Sequence, residues 1–221
     1  KGDVFSFGAF NRDFLKERQG GSMLVLESKD PAADRAAFAH AGLPVFAPFS
    51  FEREQALSDG GTRKVGFDLT FTRDPGDAGN GFFTCFHRFP ENFWSAAYQS
   101  HRNGVRALKS VVVVCEEPAM HHIFYSAFTG EREMRATSLG ITITTPRGEL
   151  KLMPPSAYER LFGETVALVN AQPRISAVMF SGGDRLRIEA DCRKAGLETR
   201  SSPEGLVVPS TATAGLSLVF P

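Results

Sequence analysis

The chain has little of what usually announces a function. Twenty-five Lys and Arg balance twenty-five Asp and Glu over 221 residues, so no global field draws it to nucleic acid or to an anionic membrane. No apolar run approaches the roughly 20 residues of a membrane helix. VVVV at 111–114 is far shorter and reads as a buried strand. Only three cysteines occur, Cys85, Cys115 and Cys192. Their wide spacing makes neither a disulfide framework nor a zinc site and points to a reducing, cytoplasmic compartment. The phosphate loop of nucleotide hydrolases, the dinucleotide-binding glycine fingerprint and the serine nucleophile elbow are all missing. Gly182-Gly183-Asp184 reads instead as a turn, with Asp184 capping the next helix.

Against these absences stand twenty phenylalanines, beside three tyrosines and a single tryptophan. Phenylalanine has no polar handle, so this many must line cores or an apolar cavity. The chain also repeats itself. Residues 22–43, SMLVLESKDPAADRAAFAHAGL, read as an apolar strand, an Asp-Pro turn and an alanine-rich helix. Pro31 suits that helix's first turn, and Gly42 suits the left-handed position that stops it. LKSVVVVCEEPAMHHIFYSAF at 108–128 and RISAVMFSGGDRLRIEADCRKAGL at 174–197 follow the same plan.

A β-rich tract follows each helix. Val65, Phe67, Leu69 and Phe71 alternate along the first, and DPGDAGNG at 74–81 turns the chain into a second strand. In the second tract, Leu139–Thr145 and Glu149–Met153 flank a Pro-Arg-Gly turn; the third, EGLVVPSTATAGLSLVFP, gives two more short strands. SAYERLFG reads as a linking helix. A strand–helix–strands unit cannot cover both faces of its own sheet, so such units pair, giving a cupped sheet open at one end. Three repeats leave one unpaired. Because Lys1 is no natural start, the pattern predicts a fourth repeat ahead of it, with FGAFNRDFLKERQG as the connector.

Layout and wording together bring a family into view. AFNRDFLKERQG, LVLESKDPAADRAAFAHAGLPV, FTCFHRFPENFW, SHRNGVRALKSVVVV and TTPRGELKLMPP resemble glyoxalase-like members of the vicinal oxygen chelate superfamily. The resemblance implies an α+β fold of paired βαβββ modules in cupped mixed sheets. Residues 1–100 would be the remainder of a first lobe, and 101–221 a whole second lobe. It also implies a small-molecule protein, for which two readings stand. One is an enzyme of lyase, isomerase or oxygenase type, with a divalent metal polarising adjacent oxygens. The other is a metal-free binder of an apolar or aromatic molecule, since one scaffold hosts both. A homodimer is compatible with either. The superfamily takes its metal ligands from a histidine on a module's first strand and a glutamate on its last. Ser110 and Lys151 stand at those places in the middle repeat, with Glu149 two residues from Lys151 on the same face; Ser22 or Met23 stands in the first. No metal is therefore expected in the second lobe. A metal in the first would need His87 together with ligands from the preceding module.

The site candidates lie around TCFHRFPENFWSAAYQSHRNG. His87 ends a strand and Cys85 precedes it on the same face, as metal ligands, a base or an activated thiol, or simply as a core thiol beside a hydrogen-bonded imidazole. His101 opens an HRNG turn at the cavity rim and is a candidate contact for a polar ligand group; local packing explains it equally. Trp94 is a ligand platform or a packing anchor. Asp68 and Thr70 alternate with the apolar set and meet a ligand if that set faces the helices, but not if it faces the cup. His121 and His122 point about 100° apart on a helix and cannot share one metal.

Overall fold

A computed structural model describes residues 4–56, 60–94 and 96–221. In chain order it runs through helix α1 (Phe7–Glu17), strand β1 (Met23–Glu27), α2 (Pro31–His40), and the strands β2 (Phe49–Ala56), β3 (Thr62–Thr72) and β4 (Gly81–His87). After the single-turn helix α3 (Pro90–Phe93) the order recurs as β5 (Val105–Val114), α4 (Pro118–Thr129), β6 (Met134–Thr137), β7 (Gly140–Thr145) and β8 (Gly148–Met153). Helix α5 (Pro155–Phe162) then leads into β9 (Arg174–Gly182), α6 (Arg185–Lys194), β10 (Arg200–Ser202), β11 (Gly205–Val208) and β12 (Ser217–Phe220). These are the three repeats, each a βαβββ module.

Local chemistry sets the helix ends. Asp30 caps α2 by accepting from the N–H groups of Ala32 and Ala33 at 2.9 and 3.1 Å, and Pro31 takes the first helical position. Gly42 follows in the left-handed region at φ 72°. Asp184 caps α6 through Arg187 N–H at 3.1 Å, as the Gly-Gly-Asp reading expects. Two strands escape the sequence pattern. β2 (FSFEREQA) is largely exposed and alternates only at Phe49 and Phe51, and β6 has only four residues; pairing with β3 and β7 defines them.

In every module the first strand pairs parallel with the last: β1 with β4, β5 with β8, β9 with β12. A parallel pair needs a long crossover, which the module's helix and two further strands supply. The first module makes a four-stranded sheet in the order β1-β4-β3-β2. The other two join through antiparallel β5 and β9 into eight strands, β10-β11-β12-β9-β5-β8-β7-β6. This sheet curls strongly. Lys151 on β8 reaches Glu204 in the β10–β11 turn at 3.6 Å, although β5, β9 and β12 lie between those strands.

The two sheets share one core on their helix-bearing faces. Phe38 of α2 stacks on Phe128 of α4 at 5.9 Å, and Phe82 of β4 meets Phe124, Tyr125 and Phe128 edge-on. Each ring buried there contributes about 1.5–3 kcal/mol. His121 of α4 adds a sheltered ion pair to Asp74 of the β3–β4 loop at 2.8 Å. Gly21 bridges to Ile175, where a Cβ would come within 2.6 Å of the isoleucine side chain, so only glycine permits that approach.

Candidate functional site

The faces turned away from the helices differ. In the eight-stranded sheet this inner face carries Val112, Val114, Met153, Ala177, Met179, Val207 and Val219, and α5 lays Tyr158 and Phe162 upon them. The Tyr158 hydroxyl donates to Ser217 Oγ or the Ser176 carbonyl, at 3.0 and 3.2 Å. That cup is filled. In the four-stranded sheet the inner face is a phenylalanine wall: Val65, Phe67, Leu69 and Phe71 of β3 beside Phe83 and Cys85 of β4. Phe5 stacks on Phe71 at 4.2 Å and Phe7 of α1 meets Phe83, covering one end. The apolar set thus faces the inner side, and Thr70 and Thr84 face α2, donating to the Pro31 carbonyl and the Asp34 carboxylate.

The other end of the wall holds His87. It pairs across the strands with Phe67, whose ring lies 5.0 Å away and nearly perpendicular. One turn of helix, started by Pro90, folds the chain back so that Phe93 and Trp94 come 4.6 and 5.4 Å from the imidazole. Trp94 remains 47% exposed. Burial lowers the pKa of His87 below its usual 6.5, with the charge of Glu27 on β1 pulling the other way. The ring is therefore neutral at physiological pH. Its Nδ1 is buried without a hydrogen-bond partner among the described residues. Burial also pushes the Cys85 thiol up to about 11, with the Asp68 charge adding to it, so the sulfur keeps its proton.

The other candidates are placed elsewhere. Asp68 lies on the opposite face of β3, where Arg88 Nε donates to it at 2.8 Å and Ser50 bonds it as well. His101 is exposed in a turn held against α6, with Arg102 bonded to Asp191 at 2.8 Å. The structure thus gathers Cys85, His87 and Trp94 on one wall and leaves Asp68 and His101 off it. Sequence reasoning missed Glu27, Phe67 and Phe93 as neighbours of His87. Phe67 was visible in the β3 alternation, whereas Glu27 is an isolated carboxylate at a strand end, with no signal of its own.

The superfamily's metal can be tested against these donors. Beside His87 stand a protonated thiol and Glu27, whose carboxylate pairs with Arg147 at 3.2 Å. In the second cup Ser110 Oγ donates to Glu149 at 3.3 Å, and the Lys151 ammonium lies 4.0 Å from the same carboxylate oxygen. Among the described residues no three of His, Cys, Asp and Glu come together as a metal site. The donors present do not fit a metal.

Modules of βαβββ type, two of them fused through their first strands, define the architecture of glyoxalase-like proteins. A family model described as a glyoxalase-like domain matches residues 6–129, more than half of the chain, and the chain belongs to that family. No curated protein matches it. Among solved structures, a hypothetical protein from Staphylococcus aureus superposes with TM-score 0.59 at 9% identity, over 96% of this chain and 71% of that one. At this identity the likeness concerns the fold alone. Methylmalonyl-CoA epimerase from Mycobacterium tuberculosis gives TM-score 0.41 at 15% identity, over 57% and 95% of the two chains. A xylose isomerase-like TIM barrel/4-hydroxyphenylpyruvate dioxygenase fusion protein gives 0.49 at 15%, over 87% and 30%. Among the described residues no helix is long and apolar enough to cross a membrane.

Proposed function

We propose that the protein binds a small, largely apolar or aromatic molecule on the inner face of its first sheet, with His87 as the polar group that fixes it. One observation carries the reading. A neutral imidazole whose Nδ1 has no partner among the described residues stands among Phe67, Phe93 and the half-exposed Trp94 at one end of a phenylalanine wall. Such a wall offers area and stacking to a flat ligand, and a buried unpaired nitrogen costs about 1–3 kcal/mol until a donor reaches it.

The neutral imidazole also favours a catalytic version of the same reading. In this form His87 accepts a proton from a bound molecule, the opening step of lyase or isomerase chemistry. No step is assigned to Cys85, whose thiol is protonated.

Trp94 is the chain's only tryptophan, so its emission reports this wall alone. Titration with a panel of phenols and naphthols should quench it saturably, and His87→Phe should weaken that binding at least tenfold, about 1.4 kcal/mol. Absence of saturable quenching up to about 1 mM, the weakest affinity worth calling binding, would sink the proposal. Solvent deuterium entering a carbon position of a bound ligand, and no longer doing so with His87→Phe, would distinguish the catalytic version.

A further inference from the structure

We infer that Lys151 is a built-in substitute for a divalent cation at the mouth of the second cup. Its ammonium lies 4.0 Å from Glu149 Oε2 and 3.6 Å from Glu204 Oε2. Ser110 Oγ donates to the same Glu149 oxygen at 3.3 Å. The side chains of Lys151, Glu149 and Glu204 are 17%, 29% and 26% exposed, so the group is sheltered without being buried. Glu149 and Lys151 belong to the middle module and Glu204 to the last, so the lysine bridges the two halves of the curled sheet.

Two carboxylates brought together from opposite halves of a cup repel unless a cation lies between them. Two carboxylates and a hydroxyl are hard oxygen donors of the kind that Mn²⁺ or Mg²⁺ takes, but they are few. An ammonium on a four-carbon stem supplies one positive charge and three donors at the same point. It cannot dissociate, and its effective concentration is fixed by the chain. The cup therefore keeps the electrostatic closure that a metal would give and loses the open coordination position that a metal would offer a substrate. This assignment is independent of the ligand reading of the first sheet.

The test removes the lysine and offers a metal back. Lys151→Ala should unfold at a lower temperature in metal-free buffer, by roughly 5 °C. Added Mn²⁺ should restore the transition and bind at one ion per chain by titration calorimetry. Adding Glu204→Gln to that variant should abolish the Mn²⁺ response. Lys151→Arg, which keeps a fixed cation, should resemble the wild type, and neither should respond to Mn²⁺. A Lys151→Ala protein indifferent to Mn²⁺, destabilised or not, overturns the inference and leaves Lys151 an ordinary ion pair. A wild-type protein that itself gains stability from Mn²⁺ through Glu204 overturns it too.

Discussion

The inner faces of the two sheets are built from the same module and have opposite fates. In the eight-stranded sheet α5 fills the cup with Tyr158 and Phe162, both fully buried, and Lys151 ties its mouth. In the four-stranded sheet Phe5 and Phe7, ahead of β1, cover the Phe71 and Phe83 end. The far end keeps a half-exposed Trp94 and an imidazole nitrogen without a partner among the described residues. Polar groups in the filled cup are satisfied: Tyr158 bonds Ser217, and Glu164 accepts from Ser217 and from the Ser210 N–H. The comparison separates an inner face used as a core from one that retains unmet bonding capacity, where a ligand has something to gain.

The largest effect that would break this contrast falls on the filled cup. Phe162→Ala removes a fully buried ring and should cost about 3–5 kcal/mol in denaturant unfolding, as cavity-forming substitutions do. Phe93→Ala, at the half-buried end of the wall, should cost about 1 kcal/mol. Equal losses would mean that the first sheet's inner face is an ordinary core, and the ligand reading would go with it.

Much of this architecture was legible in the residues. Pro31 and Gly42 bracket α2, Asp184 opens α6, and the alternation from Val65 to Phe71 marks β3, because each signal acts within a turn or a strand. β2 was not legible: beyond Phe49 and Phe51 its side chains are polar or charged and largely exposed, and its ladder to β3 defines it. The facing of His87 was also beyond reach, since Val65, Phe67, Leu69 and Phe71 suit either side of a sheet. What decides it is α2, which takes the Thr70 and Thr84 side through Pro31 and Asp34. The Lys151–Glu204 contact depends on how far eight strands curl, a property of the whole sheet.

A smaller effect sharpens the comparison through two histidines in opposite settings. His121 is raised above 6.5, chiefly by its hydrogen bond to Asp74 and against burial, with the Asp74 and Asp77 charges adding to it. Its contribution is thus fully present below pH 6.5 and is lost as pH rises through the raised folded-state value. His87 is lowered by burial, so it acts in the other direction: stability falls as pH drops below 6.5 and the unfolded chain takes up the proton more readily. His121→Gln should lose about 2 kcal/mol near pH 6 and markedly less near pH 9. Urea titrations across that range check it, and a loss independent of pH would remove the charged pair from the account.

The smallest effect has the least usual sign. In His87→Phe a ring of similar shape stays against Phe67, Phe93 and Trp94, and the unpaired Nδ1 disappears. Replacing an unsatisfied buried polar atom by an apolar one should raise stability by about 1 kcal/mol at pH 7. The gain should grow toward pH 5, where the wild type also bears the cost of charging the imidazole. The same variant should bind phenols at least tenfold more weakly, read by quenching of Trp94. A protein more stable and less able to bind is the signature of a residue kept for its ligand. If His87→Phe is instead destabilised, the imidazole has a structural partner, and the open end of the wall is only a looser copy of the filled cup.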